Sequence, residues 1–162
     1  MKVLWLMAGP PGSGKTTYLR RLPMTDNDKL VSRDTIRFNL LNSDDDYFAH
    51  EEQVFAAFID KIQTFIDDNT TINIYIDATH LTEKSRNKVL DCLDLTKVNK
   101  INCINLLTSV ETCIERNELR EGRARVPRSV VRRMAYTFTP ATDNEKYKYD
   151  TIINIKENDL NE

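Results

Sequence analysis

The 162-residue sequence contains only 4 Gly and 5 Pro, too few for a collagen-like repeat or a Gly/Pro-rich disordered polymer. Its three cysteines, Cys92, Cys103 and Cys113, are an odd number spaced about ten residues apart, with no C-x-x-C pair. They predict free thiols in a reducing cytoplasm rather than a disulfide framework or a metal site. Long apolar runs are missing too. The longest, Val3 to Ala8, falls far short of the roughly 18 residues a membrane span requires, and no small-residue cleavage site follows it. The expectation is a cytoplasmic protein without a membrane partner, forming one domain over residues 1–162. A domain of that length buries roughly 70% of the surface its unfolded chain exposes, so it needs no covalent staple. Oligomeric state leaves no mark in the sequence.

The formal net charge of -2 is unevenly spread. Arg116, Arg120, Arg123, Arg125, Arg128, Arg132 and Arg133 fall in one window with only Glu118 and Glu121 against them, so that stretch is strongly basic and the remainder acidic. A polyanion partner is therefore compatible with an acidic chain.

Short β-rich runs alternate with longer helical patterns. Val3 to Ala8 predicts a first strand, the Gly-rich turn Gly9 to Gly14 follows, and a helix covers Lys15 to Leu22. A short strand is expected at Leu30 to Ser32, and a helix at Asp34 to Leu41 opened by the acidic residue as cap. Val54, Phe55, Phe58, Ile59, Ile62, Phe65 and Ile66 recur at spacings of three and four, one apolar stripe of a core helix. Further strands are expected at Ile72 to Asp77, Ile101 to Leu107 and Thr151 to Ile155. Helices are expected from Thr82 to about Leu95, from a Ser109 cap to Leu119, and from Pro127 as first helical residue, with a frayed tail from Lys156 to Glu162. The acidic triplet Asp44-Asp45-Asp46 reads as a solvated loop. Such alternation in a short chain gives an α/β fold, a parallel sheet with helices on both faces.

Gly9-Pro10-Pro11-Gly12-Ser13-Gly14-Lys15-Thr16 satisfies G-x-x-x-x-G-K-[ST] at every fixed position, between an apolar strand and a helix. The glycines let successive N–H groups point into one concavity, the helix N-terminus adds partial positive charge, and Lys15 reaches the β- and γ-phosphates. Thr16 would place its hydroxyl on Mg²⁺. Gly12, Ser13, Gly14, Lys15, Thr16 and Thr17 are the candidate nucleotide-binding residues, and ATP or another nucleoside triphosphate is the expected ligand.

Three further signals concern the use of that ligand. Asp34 falls just past the carboxyl end of a strand, where a carboxylate can accept the proton of an attacking hydroxyl. Arg37 lies on the same helical face and suits an anionic acceptor group, although a capping Asp34 and a solvated Arg37 fit the segment Val31 to Arg37 equally well. Asp77 ends the third strand, where P-loop proteins carry a carboxylate that orients Mg²⁺ through water. Ala78, not the glutamate that hydrolytic motors use to activate water, follows it, which favours transfer to an organic hydroxyl. His80 is expected to be a neutral imidazole with one structural hydrogen bond. Arg116 and Arg120 project from one helical face, and helix, arginine-bearing turn and helix over roughly 116–133 read as a closing lid. Guanidinium donors there would stabilise charge spread over a phosphoryl group in transfer.

Through Gly9 to Thr16, Arg33-Asp34-x-x-Arg37, Asp77-Ala78-Thr79-His80-Leu81 through Arg86, and Arg116-Asn117-x-x-Arg120 through Val126-Pro127 to Met134, the sequence resembles the 5′-polynucleotide kinase family, the phage type in particular. The resemblance implies an adenylate-kinase-like P-loop NTPase fold with strand order 2-3-1-4-5. It makes Asp34 the general base toward a 5′-hydroxyl, Arg37 the contact to the phosphate 3′ of the acceptor nucleoside, and Arg120 with Arg116 part of a lid over the donor phosphates. Lys15, Asp34 and Arg120 would be catalytic, Thr16 and (through water) Asp77 would serve the metal, and 5′-OH ends of DNA or RNA would be the partner. Two features depart from the family: His80 stands where Asn is usual, and the Asp-x-Asp-Gly phosphatase motif is missing, which limits the expected activity to phosphorylation. A kinase of a nucleoside, sugar, antibiotic or aminoacyl-tRNA would share cradle and sheet. So would a nucleotide-dependent switch, which leaves the Asp34/Arg37 pair unexplained.

Overall fold

The computed structural model describes residues 1–160, the side chain of Arg123 excepted. Five strands form one parallel sheet: β1 (Val3–Ala8), β2 (Asp28–Ser32), β3 (Asn73–Asp77), β4 (Lys100–Leu107) and β5 (Thr151–Lys156), in the order β2-β3-β1-β4-β5. Six helices join them: α1 (Lys15–Arg20), α2 (Arg33–Leu40), α3 (Glu51–Asp67), α4 (Glu83–Asp91), α5 (Val110–Glu118) and α6 (Arg128–Thr137). This is the expected P-loop NTPase sheet.

Strand β1 is central, so both of its faces are covered and its sequence is apolar without interruption. Leu4, Leu6 and Ala8 point to one face, where they meet Ile74, Ile76, Phe58, Ile62, Ile66, Val89 and Leu90 of β3, α3 and α4. Met7 points the other way, to Leu19 of α1, Tyr75, Ile104, Leu106 and Leu160, with Trp5 packed alongside. Helices α5 and α6 close on each other through Cys113, Ile114 and Val131, with Val126 between them. Cys103 and Cys113 are buried thiols, the first pushed up by burial to about 12, the second to about 11.

Helix starts follow side-chain chemistry. Ser109 accepts the Thr112 N–H at 3.2 Å. Thr82 and Ser85 form a reciprocal capping box. At α2 the cap is Ser32, which accepts the Thr35 N–H at 3.2 Å, and not Asp34. Asp34 lies inside the first turn with its carboxylate turned to Arg37. Pro127 is the residue before α6 rather than its first residue. Helix α4 ends at Asp91, short of the expected Leu95, and in the turn that follows Asp94 accepts the Thr96 N–H at 3.0 Å.

The tail also differs from expectation. Glu157–Leu160 forms a 3-10 turn whose Leu160 is buried beside Met7 and Leu19, and Arg21 donates to the Leu160 carbonyl at 2.9 Å. Apolar contact and that bond hold a segment whose own sequence is polar. The remainder of the expected frayed tail, residues 161–162, lies outside the described residues. Among the described residues no helix is long and apolar enough to cross a membrane.

Candidate active site

Because all strands run parallel, their carboxyl ends share one edge. In register, Asp77 of β3 lies opposite Met7 of β1 and Ser32 of β2. The chain leaves β1 toward β2 on one side and leaves β3 for β4 on the other side of β1, so the crevice of an open α/β sheet opens beside β1. A cavity of about 300 Å³ occupies that place. It is lined on one side by the loop after β1, with Lys15, Thr16, Thr17, Arg116 and Arg120, and on the other by Asp34, Arg37, Tyr47, Phe48 and Glu51, with Asp77 and Ala78 also contributing.

The loop's curl rests on two glycines. Gly12 has φ +79°, and a Cβ there would stand 2.4 Å from the Cys113 carbonyl oxygen of α5. Gly14 has φ +104°, and its Cβ would meet the Leu160 side chain at 2.5 Å. Neither position accepts another residue without displacing a neighbour. Ser13 holds the loop differently: its carbonyl accepts from Thr108 Oγ1 at 2.7 Å, while its own Oγ is buried without a hydrogen-bond partner.

Lys15 Nζ donates to the carbonyls of Gly9 and Pro10, at 2.8 and 3.0 Å. Burial pushes its pKa down and Arg120 adds to that, against the attraction of Asp77. Asp77 is shifted up, by burial first, with Asp34 adding and Lys15 opposing. Each of these two charges is thus held where solvent stabilises it poorly, a common signature of a functional site. Arg116 Nη1 reaches the Gly12 carbonyl at 3.4 Å. Arg120 lines the cavity and makes no ion pair among the described residues.

On the opposite wall, Arg37 is at the centre of a polar cluster. Its side chain is only 6% exposed. Nε donates to Glu51 Oε1 at 2.8 Å, Nη2 to Glu51 Oε2 at 3.1 Å, and Nη1 to both Asp34 and Tyr47 Oη, the latter at 2.8 Å. Tyr47 in turn donates its hydroxyl to Asp34 Oδ1. Burial works against the charge on Arg37, but the bond from Glu51, with Tyr47 and Asp34, outweighs it and raises the pKa above the ordinary guanidinium value. Arg37 is therefore neither solvated nor free: four of the five N–H groups of a guanidinium are engaged, and one on Nη2 is uncommitted. The Asp34 side chain stays 52% exposed.

Glu51 was not apparent as a site residue in the sequence. Phe38, Tyr47 and Phe48 fit base-stacking platforms and core residues equally well there, and only the last two line the cavity. For Glu51 a signal existed: it stands three residues before Val54 and seven before Phe58, a carboxylate on the buried stripe of α3.

The other arginines of the basic window divide by contact. Arg125 donates to the carbonyls of Arg120 and Glu118, at 2.9 and 2.6 Å, and so finishes α5. Arg128 pairs with Glu118 at 2.7 Å, and Arg132 and Arg133 are exposed. The Arg123 side chain lies outside the described residues. His80, at φ +42°, is buried and its Nδ1 donates to the Met7 carbonyl at 2.6 Å, the single structural bond expected. Burial lowers its pKa to about 4, so the ring is neutral. Arg86 is fully buried, paired through Nε and Nη2 with Glu145 at 3.0 and 2.8 Å, and donates from Nη1 to the carbonyls of His80 and Thr139. It ties the loop after β3 to the segment before β5.

Comparison with known proteins agrees with this architecture. A family described as AAA domain matches residues 4–141. No curated protein matches. Among solved structures, Kti12 of Chaetomium thermophilum in complex with ADP-AlF3 is similar with a TM-score of 0.69 at 16% identity, over 96% of this chain and 90% of that one. A fungal RNA kinase gives 0.63 at 15% identity, over 94% and 73%. A gluconokinase from Sinorhizobium meliloti 1021 gives 0.56 at 14% identity, over 94% and 81%. At these identities the likeness is one of fold alone, that of a kinase-like P-loop domain.

Proposed function

The chain belongs to the AAA-domain family, and from that premise we propose that it is a polynucleotide 5′-hydroxyl kinase, moving the γ-phosphoryl of ATP or a similar triphosphate to the 5′-OH end of DNA or RNA. One observation carries the proposal. A half-exposed carboxylate, Asp34, fixed by Arg37 and Tyr47, lines the same cavity as Lys15, Thr16, Asp77 and Arg120. A base and a phosphate cradle facing one space is the arrangement that transfer to an alcohol requires.

The residues present fit a triphosphate with Mg²⁺. Gly12 and Gly14 let the loop curl at positive φ, Ser13 Oγ has no partner, Lys15 is held inside the loop, and Thr16 and Asp77 are oxygen donors on the cavity wall. The described residues include no cluster of three or more candidate ligands, and Mg²⁺ bound with phosphates needs only one or two protein oxygens. When bound, Mg²⁺ neutralises phosphate charge. The chain's own residues would do the rest. Lys15 leaves its two carbonyl partners for donor phosphates. Asp34 Oδ2 takes the proton of the incoming hydroxyl while Oδ1 stays with Tyr47 and Arg37. Arg116 and Arg120, on the lid, meet charge developing on the phosphoryl oxygens. Arg37 offers its uncommitted N–H to the phosphate 3′ of the acceptor nucleoside.

The test is incubation with labelled ATP and a 5′-OH oligonucleotide. Label at the 5′ end is expected, and Asp34→Ala is expected to abolish it while ATP still binds. Turnover retained in Asp34→Ala would remove the base assignment. Label appearing only on small alcohols, and none on the oligonucleotide end, would replace the polynucleotide acceptor by a small molecule.

A further inference from the structure

The acceptor wall carries an aromatic ring that the transfer chemistry does not use. Phe48, in the connection between α2 and α3, is 46% exposed and lines the cavity. A single exposed aromatic is ordinary on a protein surface. This one stands among charged groups that are occupied with one another. Glu51 is engaged by Arg37 and Arg33, the latter at 3.0 Å, Arg37 by Glu51, Asp34 and Tyr47, and Tyr47 by Asp34. Tyr47 also has a ring face covered by the Arg37 guanidinium, at 4.3 Å from the centroid, and its edge relation to Phe48 is close, with centroids 4.6 Å apart and planes at 85°. Phe48 is thus braced by Tyr47 and by the Arg37 guanidinium, 5.7 Å from its centroid, and the cavity it lines also carries the apolar side chains of Val126 and Met134.

A polyol acceptor needs several polar partners, because each hydroxyl taken from water unpaired is costly. This wall has few to offer. It suits an acceptor with one hydroxyl presented to Asp34 and a flat, weakly polar body beside it. Resting on the polynucleotide reading above, we propose that Phe48 is the stacking platform for the nucleobase of the acceptor's 5′-terminal nucleoside, so that the site grips the end by its base as well as by the phosphate that follows. Stacking on an aromatic ring tolerates any base, since every base has a π-face. The enzyme is therefore expected to discriminate little among the four 5′-terminal bases.

The experiment compares two oligonucleotides, one with an ordinary 5′-terminal nucleoside and one whose 5′-terminal sugar has no base, as acceptors for the wild type, Phe48→Ala and Phe48→Trp. The wild type should show a KM about 5- to 150-fold higher for the baseless end, the range that base–aromatic stacking supplies. Phe48→Ala should raise KM by a similar factor for the ordinary end and change it little for the baseless one. Phe48→Trp should restore the ordinary KM, and ATP affinity should stay constant throughout. Equal losses on both acceptors in Phe48→Ala would reduce the ring to a structural brace. A wild type indifferent to the base would overturn the platform, with the kinase reading left standing. Absence of label on either end in the wild type would remove the polynucleotide reading and the platform with it.

Discussion

Replacing Glu51 by alanine takes both carboxylate oxygens from a guanidinium that has little water to turn to. Arg37 is 6% exposed at its side chain and loses the bonds at 2.8 and 3.1 Å, while Arg33 loses its bond at 3.0 Å. Removing one partner of a buried pair costs about 3–5 kcal/mol, because a charge is left buried without compensation. Arg37 still pairs with Asp34, and Glu51 itself is 32% exposed, so water can enter part of the gap and the expected cost falls to about 2–3 kcal/mol. For a chain of this length that lowers Tm by about 4–12 °C, which calorimetry or thermal circular dichroism reads directly. Glu51→Gln, which keeps one acceptor, should fall between. Adding Arg37→Met to Glu51→Ala removes the under-compensated charge and should recover part of the lost stability. A Glu51→Ala protein melting within about 1 °C of the wild type, on the same scale, would refute the view that this carboxylate holds the acceptor wall together.

Four further outcomes are expected. With one N–H free for an acceptor phosphate, Arg37 should give the wild type at most about a tenfold KM preference for 3′-phosphorylated acceptors, and Arg37→Gln should erase it while lowering kcat on both; a preference that survives would assign the phosphate to another residue. Arg120→Ala should reduce kcat by about 10³-fold or more with little change in ATP affinity, and the opposite pattern in steady-state and binding assays would make it a nucleotide anchor only. His80, neutral in the fold with its pKa lowered to about 4, binds fewer protons than the unfolded chain below its ordinary value of 6.5. Its stabilising contribution is whole above 6.5 and is lost as pH falls toward 4, up to about 3 kcal/mol, so wild-type and His80→Gln urea-unfolding curves should converge over that range, and parallel pH profiles would contradict this. Leu160→Ala should cost about 2 kcal/mol in urea unfolding and weaken ATP binding, since that side chain packs against Gly14; an unchanged protein would mean that the tail frays in solution.

The phosphate cradle was legible because everything it needs is contiguous: strand, eight-residue loop and helix occupy adjacent sequence, and no distant residue has to be known to find it. The sheet was legible for a similar reason, the central strand β1 being apolar at each of its six positions. The acceptor wall was not. Its geometry is set by bonds between residues 10 to 14 apart across an irregular connection, Arg37 to Tyr47 and Arg37 to Glu51, and no periodic pattern spans that segment. The cap of α2 shows the same limit. Ser32 and Asp34 are both good cap residues, and only the pull of Arg37 on the Asp34 carboxylate decides that serine caps and aspartate faces the cavity. Leu160 was illegible altogether: a lone leucine in a polar tail says nothing until Met7, Leu19 and Gly14 are seen around it.

The two walls of the cavity also differ in charge, and this bears on which substrate goes where. Lys15, Arg116 and Arg120 outnumber Asp77 on the donor side, whereas on the acceptor side Arg33 and Arg37 are matched by Asp34 and Glu51 through direct bonds. A triphosphate therefore gains from one wall and nothing from the other, so the donor cannot bind in the reverse sense at comparable affinity. By locking its arginines to Glu51, the protein keeps the hydrogen-bond direction a guanidinium gives while cancelling most of its field. What then has to hold the acceptor is contact rather than charge: one N–H, one carboxylate oxygen and the ring of Phe48.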